Sequence, residues 1–170
     1  LYRQPVDIAL RYGTPGDSGL VALPLGEHNR RVVCAAPAYF ARHGMPRTPA
    51  DLRRHNCLCF VLGESLHDRW AFEHEGGALT VAVKGDRVGD DGDLVRRWAL
   101  AGHGVAYKSR YDVLADLRAG RLVQALPDYI GEPSPLHLLC VHRMLLSPAV
   151  KRLREFLQAR LREFEAGATP

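Results

Sequence analysis

The stretch Gly89–Ser109, GDDGDLVRRWALAGHGVAYKS, decides the fold. Its three aspartates could belong to a cation loop, a catalytic pair or a phosphate cradle. A calcium loop needs oxygen ligands at alternating positions and a distal bidentate carboxylate. Here Asp90, Asp91 and Asp93 run directly into Leu94 and Val95, with no glutamate at the required distance. A catalytic pair needs two acids on one substrate, one of them desolvated. Neighbouring aspartates at a helix start more simply offset the positive end of the helix dipole. The phosphate cradle fails on order, because Gly102 and Gly104 come after the helix and before a strand, the reverse of a dinucleotide loop. What remains is a helix starting near Asp91, with Leu94, Trp98 and Ala101 on one side and Arg96 and Arg97 in water. Gly102 ends it in the left-handed conformation, and GVAYK enters a sheet. The N–H groups at the helix start suit a carboxylate or another small anion.

Outward from this unit, short apolar strands alternate with amphipathic helices. VDIALRY (Val6 to Tyr12) is expected to be a largely buried strand, and RRVVCAA (Arg30 to Ala36) a second one. In PAYFARHG, Pro37 suits the first helical turn and Gly44 the C-terminal cap. TPADLRRH is a short capped helix and CLCFVL a strand; WAFEHEGGALTVAVKG is a hairpin turning at Gly76–Gly77. SRYDVLADLRAG is a helix with Ser109 as N-cap and Asp112 three residues on. RLVQAL and LHLLCVH are strands. A last helix opens at Ser147–Pro148 and buries Val150, Leu153, Leu157, Leu161 and Phe164 on one face. The alternation predicts an α/β fold with a mostly parallel sheet. A first strand buried on both faces needs neighbours on each side, so the sequence reads as a fragment of a longer polypeptide.

The 170 residues suffice for one medium domain or two small lobes. A hydrophobic fraction of 46% and a charged fraction of 25% are those of ordinary globular proteins. No apolar run approaches the roughly 18 residues of a membrane span, and no signal peptide is visible. Cys34, Cys57, Cys59 and Cys140 follow no disulfide-scaffold spacing, which points to a reducing, cytoplasmic setting. The net charge of +4 comes from arginines spread along the chain. It slightly favours an acidic partner, nucleic acid or small anions, while a solvated basic surface is the more ordinary reading of such a spread.

Two constellations suggest chemistry and neither holds. His55, Cys57 and Cys59, with His43 or His67, resemble a zinc set and would make a metal hydrolase. Yet C-x-C inside an apolar strand lacks the turn of a zinc knuckle. Ser65, His67 and Asp68 lie too close in sequence to converge as a triad. No enzyme, cofactor or metal is expected.

The segment DDGDLVRRWALAGHGVAYKSRYDVLADLRAGRLVQALPDY resembles the distal lobe of the effector-binding domain of LysR-type transcriptional regulators. APAYFARHGMPRTPADL, Trp70 with Phe72, and the closing PLHLLCVHRMLLSPAVKRLREFL fall in the order that family shows, from about Val6 to Leu161. Where the family often has a serine before the proline, this chain has Ala36, so no ligand contact is carried over to that position. The resemblance implies a two-lobed fold like type 2 periplasmic binding proteins, with the second lobe complete and the first partial. Residues 1–34 and 130–170 would form the first lobe and 35–129 the second, with RRVVCAA and LHLLCVH as the crossings.

It further implies a bacterial transcription factor that binds a small effector between its lobes. DNA would be bound through a helix-turn-helix domain absent from this chain, and the regulator would be a homodimer or homotetramer with no membrane association. The alternative is the solute-binding protein of a transporter with the same fold. Residues expected at the effector cleft are Arg11 and Tyr12 at the end of the first strand, and Phe60, Leu62 and Gly63 after NCLC. Asp91 and Gly92 at the helix start join them, with Val105 and Tyr107 on the strand behind. Arg11 can pair a carboxylate bidentately, or be tied to a turn acid such as Asp17. An acid at the helix start works against an anionic effector.

Overall fold

A computed structural model describes residues 7–13, 19–62, 65–141 and 147–167. The chain forms two compact units, Leu1–Asn29 with Pro133–Pro170 (unit 1) and Arg30–Glu132 (unit 2).

Unit 1 is a three-stranded antiparallel sheet in which β12 (Leu136–Val141) lies between β1 (Ile8–Tyr12) and β2 (Leu20–Gly26). The central strand is the buried one: Leu138, Leu139 and Cys140 are each almost fully enclosed. β1 is an edge strand with Leu10 53% exposed, so the expectation of a largely buried first strand is corrected. Helix α4 (Pro148–Ala166) packs on β2, burying Val150 and half-burying Leu153, Leu157, Leu161 and Phe164, the face read from the sequence. Arg154 and Gln158 both donate to the Pro24 carbonyl. The Ser147 side chain makes no cap hydrogen bond, although Pro148 does open the helix.

Unit 2 contains a sheet in the order β10–β3–β9–β4–β5, with β8 also paired to β4. These strands are β3 (Arg31–Ala35), β4 (Cys57–Leu62), β5 (Ser65–His67), β8 (Val88–Gly89), β9 (Val105–Ser109) and β10 (Val123–Ala125). Among the described residues only β4–β8 and β4–β9 are parallel, so the mostly parallel sheet is corrected to a mostly antiparallel one. A small antiparallel sheet of β6 (Arg69–His74), β7 (Gly77–Ala82) and β11 (Ile130–Gly131) accompanies it. The hairpin turns one residue earlier than expected, at Glu75–Gly76, both with positive φ (49° and 76°). Two positive φ values in a two-residue loop suit the right-handed twist of the flanking strands.

Period-two alternation divides the side chains of unit 2 into two cores. Val33, Ala35, Cys57, Cys59, Val105 and Tyr107 join Trp70, Phe72 and Val81 of the small sheet, together with Tyr39, Phe40 and Leu52. Those last three come from α1 (Pro37–His43) and the 3-10 helix Pro49–Arg54. Cys34, Leu58 and Ala106, the alternate residues of the same strands, pack instead with Val95 and Ala99 of α2 (Gly92–Leu100) and Val113 of α3 (Arg110–Arg118). Every residue of β9 is therefore buried.

Asp91 caps α2: its Oδ1 accepts from the N–H groups of Asp93 (2.7 Å) and Leu94 (3.2 Å). The helix ends in a Schellman motif, with Gly102 N–H on the Ala99 carbonyl, His103 N–H on the Trp98 carbonyl, and Gly102 at φ 73°. Gly104 is needed for a different reason: a Cβ there would run into the Asn56 carbonyl and the Leu58 side chain. The buried face of α2 is Val95 and Ala99, with Leu94 and Ala101 exposed, which shifts the predicted face by one position. Arg96 is not in water but bonded to Asp116, which is fully buried and also takes Arg121. The 3-10 helix carries the capping box of Thr48 and Asp51. The one expected at Ser109 does not form, because Asp112 pairs with Lys108 (2.9 Å) instead.

Candidate functional site

In an α/β sheet, ligands gather outside the carboxyl ends of parallel strands. In unit 2 those strands are β4, β8 and β9, and their carboxyl ends supply Phe60 to Leu62, Gly89 and Lys108. The start of α2 joins them: Gly92 lies against Lys108 and the ring of Phe60. The structure thus brings together Phe60, Asp91 and Gly92 of the expected residues, with Leu62 47% exposed beyond them. Gly63 lies outside the described residues. Arg11 and Tyr12 belong to unit 1, on the edge strand β1, where they pair with His137 and Leu136.

Lys108 is the residue of this edge that the sequence reading missed. Its side chain is 8% exposed, its ammonium donates to the Gly92 carbonyl (2.9 Å), and it lies 5.7 Å from the Phe60 ring centre. A buried ammonium must be paired, and Asp112 provides the charge. The available signal was a lone lysine inside GVAYKS, an otherwise apolar strand. The helix start is also less open to an anion than expected, since the Asp91 carboxylate already takes the N–H groups of Asp93 and Leu94. Burying Gly92 against Lys108 leaves Phe60, Leu62 and the first turn of α2 as the surface of the edge.

Val105 and Tyr107 play other parts. Val105 is fully buried at the amino end of β9, paired with Cys57, and has no surface to offer a ligand. Tyr107 is 3% exposed and acts as a hub. Its hydroxyl donates to the Ala71 carbonyl (2.6 Å) and accepts the Glu132 N–H (2.7 Å). Its ring stacks on Trp70 and His67. Burial pushes its phenol pKa well above the usual value. Glu132 in turn accepts the Ala71 N–H (2.9 Å), lies 2.9 Å from His67 Nε2, and faces Arg31 at 3.7 Å. Burial works to raise its pKa, but His67, the Ala71 N–H and Arg31 outweigh it and hold the carboxyl below the usual range.

The hub stands where the chain enters and leaves unit 2, at Asn29–Arg30 and Glu132–Pro133. The Arg31 N–H donates to the Glu132 carbonyl (2.9 Å), and a Cβ at Gly131 would strike the Arg31 carbonyl and the Tyr107 hydroxyl. On the unit 1 side Asn29 and Ser134 bond to each other twice. β3 lies in unit 2 between β9 and β10, and β12 in unit 1 between β1 and β2.

Among the described residues, nothing at the edge supplies a nucleophile with its base. Burial pushes the thiols of Cys34 and Cys57 up to about 12 and raises Cys59, and a thiol in that state is inert. Among the same residues no three His, Cys, Asp or Glu side chains are placed to hold a metal ion.

Comparison with known proteins identifies the family and the fold. The family model described as the LysR substrate binding domain matches residues 1–162. The chain is 32% identical over 158 residues to the HTH-type transcriptional regulator DmlR of Escherichia coli K12, covering 93% of this chain and 51% of that protein. It is 37% identical over 101 residues to the HTH-type transcriptional activator TtdR of the same strain, covering 59% of this chain and 33% of that protein. Among solved structures, the regulatory domain of CrgA from Neisseria meningitidis, a LysR-type transcriptional regulator, superimposes with a TM-score of 0.78 at 29% identity. That match covers 92% of this chain and 76% of the CrgA domain. The chain spans about half the length of DmlR. The fold is that of LysR regulatory domains, a periplasmic-binding-protein-like α/β fold, as the sequence implied.

Proposed function

The chain belongs to the LysR substrate-binding domain family, and from that membership we propose how it works as the effector-sensing part of a bacterial transcription factor. A small molecule binds at the carboxyl edge of β4, β8 and β9 in unit 2, against Phe60, Leu62 and the Asp91–Gly92 helix start. Arg11 and Tyr12 of unit 1 are effector contacts proposed on their own chemistry, Arg11 as a group able to hold a carboxylate through two parallel hydrogen bonds. Binding favours one of two conformations of the domain, and this bias reaches DNA contacts made by a helix-turn-helix elsewhere in the longer protein. That protein is a cytoplasmic homodimer or homotetramer that performs no catalysis and has no membrane association. Among the described residues no helix is long and apolar enough to cross a membrane.

The observation that carries the reading is the family match across residues 1–162, joined to a strand-end edge with a half-buried aromatic ring. It is tested by a thermal-shift screen of small carboxylates and aromatics against the chain. An effector that binds the folded state stabilises it by about 2.7 kcal/mol at a hundred times its Kd. A saturable rise in Tm with one chemical class supports the reading, and a flat response across the whole panel counts against it.

A further inference from the structure

The amino ends of β4, β8 and β9 form the opposite edge of unit 2, and that edge is basic. Because the three strands are parallel, their entry residues lie together: His55–Asn56 before β4, Arg87 before β8, and His103–Gly104 before β9. Asn56 joins these entries, its side-chain amide donating to the His103 carbonyl (2.7 Å) and to Asp86 (2.7 Å). Arg87 reaches His103 Nδ1 at 3.4 Å. The end of α1 is fastened to the same place, with Arg42 on the Gly102 carbonyl (3.1 Å) and His43 stacked on Tyr39. The Tyr39 hydroxyl accepts the Asn56 N–H. Lys84 lies beside the start of β4, its carbonyl accepting the Cys57 N–H.

The segments 42–56, 84–87 and 101–104, which meet at this edge through Arg42, Asn56, Arg87 and His103, hold six Arg or Lys residues against two acids, with three histidines besides. Both acids are engaged locally: Asp51 by Thr48 and Arg54, and Asp86 by Asn56 and Arg87. The cations remain at the surface, where Arg42 and Lys84 are exposed and the Arg54 side chain is 80% accessible. We infer that this basic edge is a contact surface for the phosphate backbone of double-stranded DNA, separate from the helix-turn-helix.

The chemistry favours DNA over an acidic protein. A protein interface has an apolar, aromatic centre, whereas Met45 is the exposed large apolar residue of these segments and Tyr39 is buried. Guanidinium groups match phosphate oxygens in pairs. No exposed aromatic ring is present in these segments for stacking on unpaired bases, which argues against a single strand. Contacts of this kind read no sequence. The inference takes from the proposed function only that the longer protein works on DNA. Its test is made on this chain without effector, so either reading can fail alone.

The test is fluorescence anisotropy of the chain with a labelled duplex of about 20 bp and arbitrary sequence, titrated from about 50 mM salt upward. Binding is expected that weakens steeply with salt. The double variant Arg54→Glu with Lys84→Glu should weaken it at least tenfold and flatten the salt slope by about two, one for each cation removed. A folded milder pair, Arg54→Ala with Lys84→Ala, should move it in the same direction. Arg152→Glu with Arg162→Glu on α4 removes as many cations elsewhere and should change binding less than about twofold. Absence of binding at the lowest salt overturns the inference. So does equal weakening in the α4 variant, or competition by polyglutamate as strong as by DNA, which would mark a protein partner instead.

Discussion

Tyr107 holds Glu132 by its backbone: the phenol oxygen accepts the Glu132 N–H at 2.7 Å while donating to the Ala71 carbonyl at 2.6 Å. One side chain thus joins the central sheet of unit 2, its small sheet, and the segment that leaves toward unit 1. The hydroxyl sits on a nearly enclosed residue, so water cannot readily replace either bond.

Tyr107→Phe keeps the ring stacked on Trp70 and strands the Glu132 N–H and the Ala71 carbonyl. An unsatisfied buried polar group costs about 1–3 kcal/mol. Urea denaturation followed by tryptophan fluorescence should show a loss of that order with an unchanged m-value. Tyr107→Ala, which also empties part of the core, should cost more.

Asp116 is fully buried between Arg96 and Arg121. Removing the carboxylate leaves Arg96 charged and half-enclosed without its main partner, which costs more than the loss of an exposed pair, about 1 kcal/mol, and less than the about 3–5 kcal/mol of a fully buried one. Asp116→Ala should therefore destabilise more than Arg121→Ala, whose side chain is 56% exposed. Chemical denaturation of the two variants against the parent measures the difference.

The pH dependence follows from Asp116 and Glu132. Burial works to raise both carboxyls, but the bonds from Arg96 and Arg121 to one, and from His67 and the Ala71 N–H to the other, hold both below their usual values. A lowered folded pKa gives stability that is present above the unfolded pKa, about 3.9 for Asp and 4.3 for Glu. It is lost as pH falls through the folded value. Tm should be nearly level above about pH 5 and fall below it, and Asp116→Asn should flatten that fall. A Tm that rises on acidification would refute the assignment.

The three aspartates of the opening stretch should separate cleanly. Asp91→Ala removes the α2 cap and should cost about 0.5–2 kcal/mol. Asp93→Ala breaks only exposed pairs with Arg96 and Arg97 and should cost less than the loss of the cap. Thermal melts of the two variants provide the comparison.

How far the fold could be read from sequence depends on the range of each interaction. The cap at Asp91, the αL glycine at 102, the capping box at Thr48 and the proline-led starts of α1 and α4 are made within four residues, and all were legible. The hairpin turn missed by one because EGG offers two glycines, and the structure places Glu75 at φ 49° to align the strands. Asp116, Lys108 and Tyr107 were misjudged or missed because their partners lie far along the chain: Arg96 is 20 residues away, Gly92 16, and Ala71 36. Strand direction was misjudged for a similar reason. β5, β8 and β11 are two or three residues long and leave almost no periodic trace, yet two of these three add antiparallel pairs. The family resemblance filled that gap for the fold, while the separation of Tyr107 and Val105 from the strand-end edge needed coordinates.

Effector binding at the strand-end edge is tested most sharply by an amide chemical-shift map of the chain, titrated with the compound that raises Tm most. Saturable shifts are expected at Phe60, Leu62, Asp91, Gly92 and Lys108, reduced in Phe60→Ala. Shifts confined to the opposite edge at Asn56, Arg87 and His103, or an unchanged map at saturating compound, would contradict it.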